Sequence, residues 1–205
     1  LGQPRGARFE IRALVALGRL RDAEERVTSG PARLGPDQAA LAYELGIELM
    51  AHGSEARGLQ WLNRAADALP AGPPGSSRQR LRTEALYAAG RWTEARAGLE
   101  ARLTAAPHDI NARGALAVID SRTGYPARAR AAADSLIAEP LPVQIAAGTV
   151  WRARIAAALG DHSEVPHLLE TARQRGAARP AASHRAPEWR FLPDRSVLEE
   201  WLAVR

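Results

Sequence analysis

The chain contains no cysteine in its 205 residues, which excludes disulfides, thiol chemistry and zinc sites built on paired cysteines. It has no lysine either: every basic residue is arginine. Aromatic residues make up only 5% of the chain, and the β-favouring residues Val, Ile, Thr and Tyr are sparse. No apolar run approaches the roughly 18 residues needed to cross a bilayer. Residues 1–8 are polar and rich in Gly and Arg, with no apolar signal-peptide core.

Catalytic patterns are missing too. The glycines stand singly and do not form a phosphate-binding cluster. No serine lies in a Gly-x-Ser-x-Gly elbow. Glu24/Glu25 and Glu199/Glu200 are adjacent in sequence, so on a helix they point in different directions and make no acid–base pair. His162 and His167 are five apart with Pro166 between them, a poor spacing for two helical metal ligands. The expectation is a protein that is not an enzyme, with no metal, no cofactor and no small-molecule substrate.

What remains is a composition dominated by Ala, Leu and Arg, all strong helix formers. The apolar fraction is 46%, enough at this length for a substantial core without metal or disulfide. The prior is an all-α protein. The net charge is +5. Because arginine has a very high pKa, a modest excess already drives the isoelectric point far up. The densest basic stretch is Arg173, Arg175, Arg179, Arg185 and Arg190, opposed by Glu188. It reads as a solvated linker at least as well as a nucleic-acid surface, so nucleic acid is not the expected partner.

Five glycines, Gly18, Gly53, Gly90, Gly124 and Gly160, each close one apolar helical segment and open the next. They lie 35, 37, 34 and 36 residues apart. A period near 34 residues is the mark of a helix–turn–helix repeat. Glycine suits a chain leaving a helix in a left-handed conformation. Five residues after each glycine come Ala23, Gly58, Ala95, Ala129 and Val165, small enough for close helix approach. Nine residues after come Val27, Leu62, Leu99, Ala133 and Leu169, one turn further along the same face. Four before stand Leu14, Leu49, Leu86 and Ala156, with Asp120 the exception.

The second unit, with Leu45, Gly46, Leu49, Gly53, Gly58, Leu62, Ala65 and Pro70, resembles the tetratricopeptide-repeat consensus. So do Gly90-Arg91-Trp92-Thr93-Glu94-Ala95 in the third unit and Leu159-Gly160-Asp161-His162-Ser163-Glu164-Val165 in the fifth. The resemblance covers about residues 8–175. It implies a right-handed α-solenoid of about five antiparallel helix pairs, with units near 7–30, 37–70, 77–107, 109–140 and 144–175. Residues 1–176 form the array; 177–205 form a Pro/Arg-rich linker and a capping helix.

Pro126 falls just inside the fourth unit's second helix, where proline is tolerated. Residues 28–36 and the Pro/Gly/Ser stretch 70–77 interrupt the pattern and are expected to bend or splay the array. Trp189 and Trp201 are expected to cover the last apolar face, with Val197, Leu198 and Leu202 on a short helix.

The resemblance also implies function. The first helix of each pair would line a concave groove that binds a protein or peptide. Counting back from the glycines gives Tyr43, Glu44 and Ile47, then Arg80, Glu84 and Tyr87, then Asn111 and Arg122, and finally Trp151 and Arg154. Tyr87 and Trp151 serve equally as packing between helices. The Lys/Asn clamp that some relatives place on C-terminal carboxylates is missing with lysine; Arg80, Arg122 and Arg154 still favour acidic partners. The tail is similar to closing segments of bacterial arrays fused behind kinases and cyclases. With the initial Leu, this suggests a fragment of a larger signalling protein, cytoplasmic in preference to periplasmic. An arginine-mediated nucleic-acid binder is the alternative of another class.

Overall fold

The structure is a computed structural model describing residues 4–29, 35–73, 75–138, 142–177 and 184–203. Residues 30–34 of the expected break, and 178–183 of the expected linker with Arg179, lie outside the described residues.

The described residues are all-α, with no strand. The helices are α1 Pro4–Ala16, α2 Leu20–Thr28, α3 Pro36–Ala51, α4 Glu55–Ala68, α5 Ser77–Ala89 and α6 Trp92–Ala105. They continue with α7 Ile110–Arg122, α8 Pro126–Ile137, α9 Pro142–Leu159, α10 Val165–Gln174 and α11 Ser196–Leu202. Short 3₁₀ turns occupy His162–Glu164 and Pro187–Phe191. No helix among the described residues is long and apolar enough to cross a membrane.

The five turn glycines share one geometry. Each has φ between +71° and +90°, in the left-handed region. In each turn the next residue's N–H donates to the carbonyl four residues before the glycine. The pairs are Arg19 to Leu14, Ser54 to Leu49, Arg91 to Leu86, Tyr125 to Asp120 and Asp161 to Ala156, all at 2.7–2.9 Å. This is the long bond of a Schellman closure, which satisfies a carbonyl that the helix end leaves open. The small residues that follow are buried in every turn: Ala23, Gly58, Ala95, Ala129 and Val165. So are Val27, Leu62, Leu99, Ala133 and Leu169, one turn later. A sixth closure ends α10, where Gly176 has φ +77° and Ala177 donates to Ala172 at 2.9 Å. It follows Gly160 by 16 residues and so lies outside the spacing near 34.

The chain divides into two compact units, Leu1–Gly98 and Leu99–Arg205, with the boundary inside α6. In the first, α3 is the central helix and packs against α1, α2, α4 and α5. It is buried along most of its length, including Leu45, Leu49 and Met50. Its closest partner is α4. A Cβ on Gly46 would sit 2.7 Å from Leu62 Cγ, and one on Gly58 would sit 2.8 Å from the Gly46 carbonyl oxygen. Only bare backbone allows that crossing. Across the loop at 70–77, α4 and α5 still pack together. Ser76 caps α5 by accepting from the Gln79 N–H at 3.2 Å.

In the second unit α7 packs on α8 and α9, and α9 packs on α8 and α10. Pro126 stands at the start of α8, where its missing N–H costs nothing. The described tail is an integral part of this unit. Trp189, Leu192, Leu198 and Trp201 share one buried cluster with Ala153, Ala156 and Ala157 of α9 and Val165, Leu168 and Leu169 of α10.

Candidate functional site

The ten sequence-selected residues divide between the two units. On α3, Glu44 is buried and accepts a hydrogen bond from Arg12 Nε at 2.5 Å. Glu48, one turn on, is also buried and lies 3.7 Å from the same nitrogen. His52 Nε2 stands 3.8 Å from Glu48. The hydrogen bond to Glu44 raises the Arg12 pKa; desolvation opposes this, and the charges of Glu44 and Glu48 add to it. Arg12 also lies over the Phe9 ring, 5.4 Å from its centroid. Sequence reasoning selected Glu44 but missed Arg12 and Glu48. Arg12 lies 32 residues from Glu44, and no local pattern joins them.

Ile47 belongs to a buried cluster with Met50, Leu62 and Ala88, against which half-buried Tyr43 packs. On α5, Arg80 is exposed and Glu84 half-buried. Tyr87 is 8% exposed and meets Trp92 edge-on, with centroids 5.6 Å apart and planes at 73°. Ile47 and Tyr87 are therefore packing residues in this structure.

The second unit places its four selected residues on two packed helices, α7 and α9. Trp151 of α9 is buried and donates its indole N–H to Asn111 Oδ1 on α7 at 3.0 Å. Gly114 makes room for that indole, since a Cβ there would run into the ring. Arg154 lies over Trp151 at 4.7 Å and over Trp189 at 5.7 Å. Arg122, at the end of α7, donates from Nη1 to the Ala158 carbonyl at 3.2 Å. It stacks on Phe191 at 4.5 Å, and Arg190 approaches the same ring at 4.9 Å. Trp189 and Phe191 come from the 3₁₀ turn Pro187–Phe191. The expectation that Trp189 caps the array gave no sign that it would meet Arg154, or that Phe191 would meet Arg122.

The charges around this face are uneven. Arg128, Arg130 and Arg152 of the same unit stand 3.5, 3.1 and 3.6 Å from Asp120, Asp161 and Asp134. Arg122 and Arg154 have no carboxylate partner among the described residues. The buried Nε of Arg154 has no acceptor among them either. Elsewhere in the unit, a shallow cleft of about 420 Å³ is lined by residues including Thr149, Arg152, Glu164, His167 and Arg175. Arg175 spans it, donating to Thr149 Oγ1 at 3.1 Å.

Comparison of the chain with protein-family models, with curated proteins and with solved structures gave no match, so no family is assigned.

Proposed function

We propose that the chain is a non-catalytic helical-repeat scaffold of the tetratricopeptide kind. In this reading it is a right-handed solenoid of five antiparallel helix pairs, and it binds a protein or peptide partner along the first helices of its pairs. The observation that carries the reading is the set formed by Asn111, Arg122, Trp151 and Arg154. Positions counted back from two successive turn glycines meet where α7 and α9 pack: Trp151 bonds Asn111, Arg154 lies over Trp151, and Arg122 donates to the Ala158 carbonyl. Neighbouring first helices of such a repeat build a surface suited to an elongated ligand. That surface presents two arginines, a residue type enriched in binding hot spots, above the buried Trp151. The Schellman closures support the repeat itself, because one turn geometry recurs at a period near 34 residues.

The test is an unbiased peptide-display selection on the intact chain, followed by affinity measurements on Tyr43→Ala, Asn111→Ala and Arg122→Ala. Tyr43 is half-buried, and Asn111 and Arg122 are exposed. These variants should fold, as circular dichroism would verify. Selected peptides should bind the variants at Asn111 and Arg122 several-fold more weakly. If every selected peptide binds all three variants as tightly as the parent, the groove assignment fails.

A further inference from the structure

We propose, resting on the scaffold reading, that the α7–α9 face of the second unit docks an acidic segment of a partner protein. Arg122 and Arg154 would hold its Asp or Glu side chains by their guanidinium edges. A guanidinium has two flat faces and a rim of N–H donors. Stacking on an aromatic ring uses a face and leaves the rim available for bidentate pairing with a carboxylate. Here Arg122 lies over the Phe191 ring, and Arg154 lies over Trp151 and, farther off, Trp189. The stacking restricts both side chains before any ligand arrives, which lowers the ordering cost of binding.

Charge identifies the ligand. Arg128, Arg152 and Arg130 of this unit pair with Asp120, Asp134 and Asp161, whereas Arg122 and Arg154 make no ion pair with a carboxylate among the described residues. Arg122 is pinned to the carbonyl of Ala158, one turn beyond Arg154 on α9. The side chains of Arg122 and Arg154 therefore both lie along α9, where the carboxylates of one acidic segment can reach them. Asn111 is exposed, and its Oδ1 is committed to the Trp151 indole. Its amide NH₂ remains a donor for a peptide carbonyl. Arg80, exposed on α5 of the first unit, is not part of this site.

Fluorescence anisotropy on the intact chain tests the proposal with a labelled peptide of alternating Glu and Ser. Controls are the same peptide with Gln for Glu and a single-stranded oligonucleotide of equal charge. The Glu peptide should bind about tenfold or more tightly than the Gln peptide, and Arg122→Ala should cost about tenfold. Arg122→Lys should restore only part of the loss, because lysine cannot pair through a planar fork. Arg154→Gln provides a second, independent variant, with circular dichroism confirming its fold. Equal binding of the Glu and Gln peptides overturns the proposal, as does full affinity in both arginine variants or no binding of the Glu peptide. Tighter binding of the oligonucleotide, lost in the same variants, overturns it in favour of nucleic acid. A neutral peptide that binds and is lost in Asn111→Ala overturns the acidic assignment while leaving the scaffold reading standing.

Discussion

Asp109 does two jobs at the head of α7. Its Oδ1 accepts the N–H groups of Asn111 at 3.0 Å and Ala112 at 3.1 Å, and its Oδ2 accepts from Arg102 Nε at 2.5 Å. Burial works to raise its pKa, but the Ala112 N–H, Arg102 and the Asn111 N–H outweigh it and hold the carboxyl below its usual range. With the folded pKa below the unfolded one, the carboxylate's contribution is complete above about pH 4. It is lost as pH falls through the depressed folded value. Asp109→Ala should cost about 0.5–2 kcal/mol as a lost cap. Asp109→Asn keeps the cap and should flatten the acid limb of a plot of Tm against pH. An acid limb as steep as the parent's would show that Asp109 does not supply this dependence. A turn glycine provides a contrast: Gly90→Ala forces a Cβ into the left-handed region and should cost about 1–2 kcal/mol in chemical denaturation. The turn glycines were legible in the sequence because few residues tolerate positive φ. The Arg12–Glu44 pair was not, because it exists only once α1 has packed on α3.

Among elements, the α3–α4 crossing and the tail depend most on the tertiary structure. At the crossing, a Gly58 Cβ would meet the Gly46 carbonyl at 2.8 Å and the Met50 nitrogen at 3.1 Å, both backbone atoms that cannot swing aside. Gly58→Ala should therefore destabilise the chain by about 1–3 kcal/mol, despite alanine's better helix propensity. A melting temperature at or above the parent's would mean the helices can separate at little cost. In the tail, Trp201 is 6% exposed within the cluster under α9 and α10. Trp201→Ala should cost about 3–5 kcal/mol. A loss below about 1 kcal/mol would mean that α11 adds little to the second unit. The apolar spacing of Val197, Leu198, Trp201 and Leu202 was readable as a helix with one buried side. The neighbouring turn was harder to read: Trp189 packs into the cluster while also lying against Arg154.

For the whole molecule, the surface ion pairs should contribute little to stability. Arg19–Asp22, Arg173–Glu170 and Arg130–Asp161 join side chains that are largely solvent-exposed. Such pairs contribute little and are screened by salt. Raising the salt from about 50 mM to about 0.5 M should move the melting temperature only slightly, whereas binding of an acidic peptide should weaken markedly. A melting temperature that falls steeply with salt would instead identify these pairs as a main source of stability. The sequence by itself determined the helical class, the turn positions and the buried positions five and nine residues beyond each glycine. All follow from local chemistry: helix propensity, the left-handed freedom of glycine and the 3.6-residue period. Only the tertiary structure decided that Ile47 and Tyr87 are packing residues, that Arg12 meets Glu44, and that Trp189 and Phe191 meet Arg154 and Arg122. Those outcomes depend on contacts between residues far apart in the chain. A helical period shows which face a residue occupies, while its neighbours are fixed only when that face packs against another element.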